Sequence, residues 1–268
     1  MRSSIRPAPA DTLRPATDRP ANAPRPGSPK TSVIVPVLYD EPRLAATLRG
    51  LAALRDVMDV EVLVAVDVPD PRREAGARAR NDAVAAAAGA VALYRVGERG
   101  FGSALRWAFA RASGDVVIPF MADGSDDPRD IPVMLRALDD GLDIVVGSRY
   151  MAGGRIVGNS AKQRLSRLYS TLVRLAGGPA VHDVSNAFKA YRRDVLESVP
   201  THADSFDISV ELTVRAHAAG MRVGEIPTVW TNRDAGASHF RMGRELGNYW
   251  RWLVMAARSR PAPAPVTA

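Results

Sequence analysis

Short runs of apolar, β-branched residues recur through the middle of the chain, and each is followed by a stretch with helical spacing. Thr31 to Val37 (TSVIVPV) precedes Pro42 to Arg55, where Leu44, Leu48, Leu51 and Leu54 recur at helical intervals. Val60 to Val66 precedes an Arg/Ala-rich segment from Arg72 to Ala88, and Ala92 to Val96 precedes Gly102 to Ala112. Val116 to Phe120 leads into a helix over Ile131 to Asp139, and then a strand over Asp143 to Gly147. Strands apolar at nearly every position have both faces covered, and strict strand–helix alternation predicts an α/β fold with a mostly parallel sheet flanked by helices. Beyond Tyr150 the pattern loosens to a helix near Lys162 to Ala176, a strand near Phe188 to Tyr191, a helix over Ser209 to Ala219 and an extended Arg222 to Trp230.

The chain has 268 residues, enough for one sizeable core. Residues 1–30 are Pro- and Arg-rich with almost no large apolar side chain and are expected to be a disordered arm; 261–268 reads as a second one. Residues 31–240 are then the folded catalytic domain and 241–260 a basic amphipathic helix. The formal charge of +7 is concentrated at the two ends. Six basic and two acidic residues occupy 1–30, and five and one occupy 241–260, so the body is close to neutral. A near-neutral body speaks against a nucleic-acid-binding core. The absence of cysteine excludes disulfide scaffolds, zinc–thiolate sites and thiol nucleophiles. No apolar run reaches the length that spans a bilayer.

Acids gather where the strands end, the edge at which open α/β sheets bind ligands. Asp40 and Glu41 follow the first strand, Asp67 and Asp70 the second, and Asp123, Asp126 and Asp127 the fourth. Any one of them alone would serve as a helix N-cap. Together they suggest a polyanion held through a divalent cation, because hard cations take carboxylate oxygens and bridge to phosphates.

Seven segments in order carry a family resemblance: SVIVPVLYDEPRL, a strand ending in AVD, RGFGSALRWAFARASGDVVIPFMADGSDDPRDIP, DIVVGSRY, KQRLSR, DVSNAFKAYRRDVLE and VELTVRAHAAGMRVGEIPTVWTNRDAGAS. They resemble the inverting family 2 glycosyltransferases of the GT-A fold, nearest to the dolichol- and polyprenyl-phosphate sugar synthases. The resemblance runs from about Ser32 to Phe240. It implies that Pro36, Asp40 or Glu41, and Asp67 hold the nucleobase and ribose of a nucleotide-sugar. It implies that Asp123, the second acid of the family's Asp-x-Asp, faces a Mg²⁺ or Mn²⁺ ion, with Ser125 and Asp126 as neighbouring ligands. Arg149, Arg164 and Arg167 match positions that face phosphates. Two departures stand out: Met121 replaces the first acid of Asp-x-Asp, and Val68 replaces a second acid after Asp67. Thioether sulfur is a poor ligand for a hard cation. Either Asp123 works with Asp126 or Asp127, or the metal binds more weakly, or arginines neutralise the diphosphate without it.

The chemistry implied is displacement at an anomeric carbon with a nucleoside diphosphate leaving. A polyprenyl or dolichyl phosphate acceptor is already anionic and needs no strong base, whereas a hydroxyl acceptor needs one. Glu211 and Asp207 are the candidates for that base. Phe240, Gly243, Gly247, Trp250, Val254 and Ala257 fall on one stripe of the C-terminal helix, which reads as interfacial, attracted to anionic lipid. The expected partners are therefore a nucleotide-sugar donor and a lipid phosphate or anionic membrane surface, with no nucleic acid, and the place is the cytoplasm, peripheral at the inner membrane face. A cytosolic transferase to a soluble hydroxyl acceptor and a non-catalytic GT-A relative stand as alternatives. Oligomeric state is not readable.

Overall fold

Residues 29–158, 161–232 and 242–259 are described in the computed structural model of this chain. Of the arms expected at 1–30 and 261–268, residues 1–28 and 261–268 lie outside them, as does the Arg-Asp-Ala-Gly-Ala-Ser run after Asn232.

The elements run β1 (Thr31–Leu38), α1 (Leu44–Ala52), β2 (Val60–Val68), α2 (Glu74–Ala87), β3 (Val91–Val96), α3 (Phe101–Phe109), β4 (Val116–Pro119), α4 (Ile131–Asp139) and β5 (Ile144–Ser148). Then follow β6 (Arg155–Val157), α5 (Ala161–Leu175), β7 (Lys189–Arg192), α6 (Arg193–Ser198), α7 (Ile208–Ala218), β8 (Val223–Pro227), β9 (Val229–Thr231) and α8 (Met242–Arg258). Seven strands form one sheet in the order β3-β2-β1-β4-β7-β5-β8. Only β7 runs antiparallel to its neighbours β4 and β5. The mostly parallel α/β sheet expected from the alternation is what forms.

The strands β1, β2, β4 and β5 bury both faces, since successive side chains point oppositely and helices cover each side. In β1, Val33, Val35 and Val37 enter a core shared with Leu48 and Leu51 of α1 and Met134 and Leu138 of α4. Ile34, between them, enters the other core with Leu105 and Phe109 of α3, Val210 and Leu212 of α7 and Trp252 of α8. Two helical layers thus enclose the sheet.

Two details depart from the sequence pattern. The extended stretch from Arg222 to Trp230 divides at Thr228: β8 joins the main sheet, while β9 pairs with β6 in a separate two-stranded ribbon. Thr228 makes the break by donating its N–H to the Ser148 carbonyl at 3.0 Å and its hydroxyl to Asp130. The C-terminal helix docks on the fold through a stripe other than the Trp250 stripe expected to face lipid. Trp252 and Ala256, four residues apart, are buried against α7 and α5, and the Trp252 indole N–H donates to Asp207 Oδ2 at 2.8 Å. Trp250 is left exposed.

Candidate active site

The sheet opens at its carboxyl edge between β1 and β4. The β1–β4 ladder ends at Ile34 opposite Pro119, so the last four residues of β1 have β2 on one side only. Pro36 lies in that stretch, where its missing N–H breaks no ladder bond. Because β2 and β3 wind to one side of β1 and β4 to the other, this gap is the topological switch point at which such sheets bind ligands. Asp67 ends β2 and Asp123 follows β4, on the same edge and two strand spacings apart, about 10 Å.

The β1 corner is conformationally strained. Tyr39 has φ 61°, a left-handed conformation uncommon for a bulky residue. It is held by its N–H to the Asp67 carbonyl at 2.9 Å and by Asn81 Nδ2 donating to its own carbonyl at 2.7 Å, while the Arg73 guanidinium lies 3.7 Å over its ring. Asp40 pairs with Arg80 at 2.6 Å, both half exposed, and Glu41 accepts the Arg43 N–H at 3.1 Å.

Asp67, expected to hold the nucleobase and ribose, instead spends both oxygens on Arg95. Arg95 Nε donates to Oδ1 at 2.8 Å and Nη2 to Oδ2 at 2.7 Å, and both residues are buried. Arg95 also donates to Glu98, Ser103 and the Gly100 carbonyl, which uses all five of its N–H groups. The pair therefore pins the turn that starts α3. That turn is not an open phosphate cradle: a Cβ on Gly102 would stand 2.2 Å from the Ala203 carbonyl oxygen, so the glycine admits the 203–205 backbone. The sequence signals that a buried acid must meet the arginine inside the otherwise apolar strand VALYRV, but not which acid it is.

The loop after β4 is tied from several sides. Asp123 Oδ1 accepts the Ser125 N–H at 3.0 Å, Asp126 Oδ2 accepts the Met121 N–H at 3.3 Å, and Thr47 Oγ1 donates to the Ala122 carbonyl at 2.8 Å. Gly124, with φ 70°, makes the turn between the acids. From the small ribbon, the Thr231 N–H reaches the Ser125 carbonyl at 2.9 Å. Asp123, Ser125 and Asp126 are all buried, and Oδ1 of Asp126 has no hydrogen-bond partner. Burial, then the charge of Asp123, pushes the Asp126 carboxyl up to about 7, against the Met121 N–H and the opposing charge of Arg149. Asp127 faces away, capping a 3₁₀ turn and pairing with Arg129 at 2.6 Å. A cavity of about 410 Å³ lies between α1 and this loop, with Thr47, Phe120, Gly124 and Asp126 in its wall.

Arg149, just past β5, is close enough to Asp126 to lower its pKa, but its guanidinium is clamped by Asp183: Nε to Oδ2 at 2.6 Å and Nη2 to Oδ1 at 2.9 Å. Asp183 is fully buried, and its charge and hydrogen bonds raise the arginine's pKa against burial. Nη2 also reaches Ser166 of α5 at 3.3 Å and Ser185 at 3.4 Å, and the rings of Tyr150 and Trp230 lie 5.1 and 5.9 Å away. The buried Lys189 ammonium closes the adjoining loop by donating to the Val184 and Ser209 carbonyls and to Thr213 Oγ1. Arg164 and Arg167 lie on the exposed side of α5, the latter 6.0 Å from the Tyr150 ring.

Both expected bases are buried within the fold. Glu211 is fully buried; Oε2 accepts the N–H groups of His202 at 2.9 Å and Ala203 at 2.7 Å, and Oε1 accepts from Arg215 at 3.0 Å. It anchors the 202–203 loop. Asp207 is buried beneath α8 by its bond to Trp252. Among the described residues, no group of three or more His, Cys, Asp or Glu side chains has metal-binding geometry.

A mostly parallel sheet with buried acids at its carboxyl edge is the architecture of the GT-A nucleotide-sugar transferases. Glucosyl-3-phosphoglycerate synthase from Mycobacterium tuberculosis, crystallised with Mn²⁺, UDP and glucosyl-3-phosphoglycerate, superposes with a TM-score of 0.61 at 21% identity, over 88% of this chain and 82% of that one. Residues 32–199 match the glycosyl transferase family 2 model, and the chain belongs to that family. It is 36% identical over 154 residues to polyprenol monophosphomannose synthase of Mycolicibacterium smegmatis, covering 54% of this chain and 58% of that protein. It is 30% identical over 175 residues to undecaprenyl-phosphate mannosyltransferase of Micrococcus luteus, covering 61% of this chain and 71% of that protein. The first relative is thus matched over little more than half of its length.

Proposed function

We propose that the chain transfers a sugar from a nucleotide-diphosphate donor, GDP-mannose or a UDP-sugar, to a polyprenyl phosphate at the cytoplasmic face of a membrane, with inversion. An acceptor phosphate oxygen bonds to the anomeric carbon as the bond from that carbon to the diphosphate breaks, and the nucleoside diphosphate leaves with the electron pair. The observation that carries the lipid-phosphate acceptor is the state of the two candidate bases. Glu211 is buried with both oxygens bonded, and Asp207 is buried beneath α8 with Oδ2 on the Trp252 indole and Oδ1 unbonded, so an acceptor that arrives already ionised fits this protein better than a hydroxyl that must be deprotonated. The names of the two mannosyl-transferring relatives support the same acceptor class.

The donor's diphosphate would lie at the β1–β4 gap, with Arg149 facing it and Pro36, Asp40 and Glu41 along the nucleoside side. Arg164 and Arg167 would meet the acceptor's phosphate from α5. Asp126 Oδ1 is buried without a hydrogen-bond partner and has a second carboxylate, Asp123, beside it, a pairing that supports Asp123 and Asp126, with Ser125, as holders of Mg²⁺ or Mn²⁺ even though Met121 supplies no oxygen. Such an ion, when bound, neutralises charge on the leaving diphosphate. Asp123→Asn is expected to lower transfer by at least about a hundred-fold while leaving the circular dichroism spectrum and the melting midpoint close to those of the parent. Full activity in that variant would contradict the assignment.

A further inference from the structure

Helix α5 has an inverted pattern. Its inner side carries Ser166, Tyr169, Ser170 and Val173, whereas four leucines face outward: Leu165 is 39% exposed, Leu168 54%, Leu172 42% and Leu175 76%. At 3.6 residues per turn these leucines fall within roughly 80° of arc and extend over about 15 Å of helix. Trp250, on the adjoining α8, is 66% exposed, and the two helices meet through the rings of Tyr169 and Tyr249, 4.9 Å apart. A row of this kind is a larger apolar surface than scattered exposed side chains explain.

We propose that this leucine face of α5, extended by Trp250, is the surface by which the protein lies on an anionic membrane. Charge selects lipid as the occupant: α5 holds Lys162, Arg164, Arg167 and Arg174 and no acidic residue. A basic helix with an outward apolar stripe lies in the head-group layer, its leucines among the acyl chains and its arginines at the phosphates. The inner side of the same helix reaches the candidate site, because Ser166 bonds to Arg149 and to the Tyr150 hydroxyl, the latter at 3.0 Å. Arg149 therefore lies about one helix diameter, roughly 10 Å, from the membrane plane, within reach of a lipid head group. The surface deepens the proposed lipid-phosphate reading, and two separate readouts keep them apart.

The intact chain and a Leu168→Glu/Leu172→Glu variant are co-sedimented with phosphatidylcholine vesicles containing roughly a third phosphatidylglycerol, at low salt. The parent is expected to sediment with the vesicles. The variant's bound fraction should fall about ten-fold or more, with an unchanged melting midpoint and unchanged transfer to a water-soluble short-chain prenyl phosphate. Failure of the parent to bind, or equal binding by the variant, overturns the proposal. A lipid-free dimer that the same substitutions dissociate would assign the face to a second copy, and that too overturns it. Leucine-dependent vesicle binding without transfer to the prenyl phosphate would leave the surface standing and count against the acceptor.

Discussion

Asp126 is a buried carboxylate with one unbonded oxygen beside a second acid, and its pKa is raised from 3.8 to about 7. A raised carboxyl pKa means that the folded state holds its proton more tightly than the unfolded chain. Its contribution to stability is complete below about pH 4 and is lost as pH rises toward 7. In metal-free buffer, Asp126→Asn should therefore be more stable than the parent at pH 8, by up to roughly 4 kcal/mol, and melt higher. The gap should grow between pH 4 and 7 and level off above; a gap independent of pH would refute the burial account. Arg149 illustrates how partners hide from a sequence. Its position after the fifth strand was legible, but Asp183, 34 residues away, was not, and neither was Arg95 as the partner of Asp67 across 28 residues. Periodicity reports which side of an element a residue faces and is silent on which distant charge it meets there.

At the scale of elements, β1, β2, β4 and β5 were legible because they are apolar along most of their length, and α4 coincides with the expected Ile131 to Asp139. The short β6 and the break at Thr228 were not, since three-residue strands carry no period and exist through single tertiary bonds. On α8, two tryptophans two residues apart define two different stripes, and the choice falls to Trp252 only because Asp207, 45 residues earlier, offers an acceptor. On α5, Ser166 faces inward because it bonds to Arg149 and the Tyr150 hydroxyl, and Tyr169 and Val173 pack on the same side, which leaves the leucines outward. The turn opening α3 gives the sharpest test at this scale. Gly102→Ala would bring a methyl to 2.2 Å from a backbone oxygen and should cost about 2 kcal/mol or more in urea unfolding. A neutral result would show that the 203–205 loop yields freely.

The molecule as a whole joins three features: a strand-end site at the β1–β4 gap, a clamp of the β6–β9 ribbon on the loop after β4, and an α5–α8 layer that backs Arg149. The class of chemistry was legible because acids at strand ends survive any uncertainty in helix boundaries. Which carboxylates remain free to act was not, because that depends on Arg95, on the N–H groups of His202 and Ala203 and on Trp252, each brought in by the tertiary fold. Nucleoside diphosphate release from GDP-mannose and from UDP-glucose, measured with and without a short-chain prenyl phosphate in Mg²⁺ or Mn²⁺, bears most directly on the proposed transfer. Release that requires the prenyl phosphate, with the sugar recovered on it, is the expected result. No sugar on the prenyl phosphate with either donor, while a soluble hydroxyl acceptor becomes glycosylated, would contradict it.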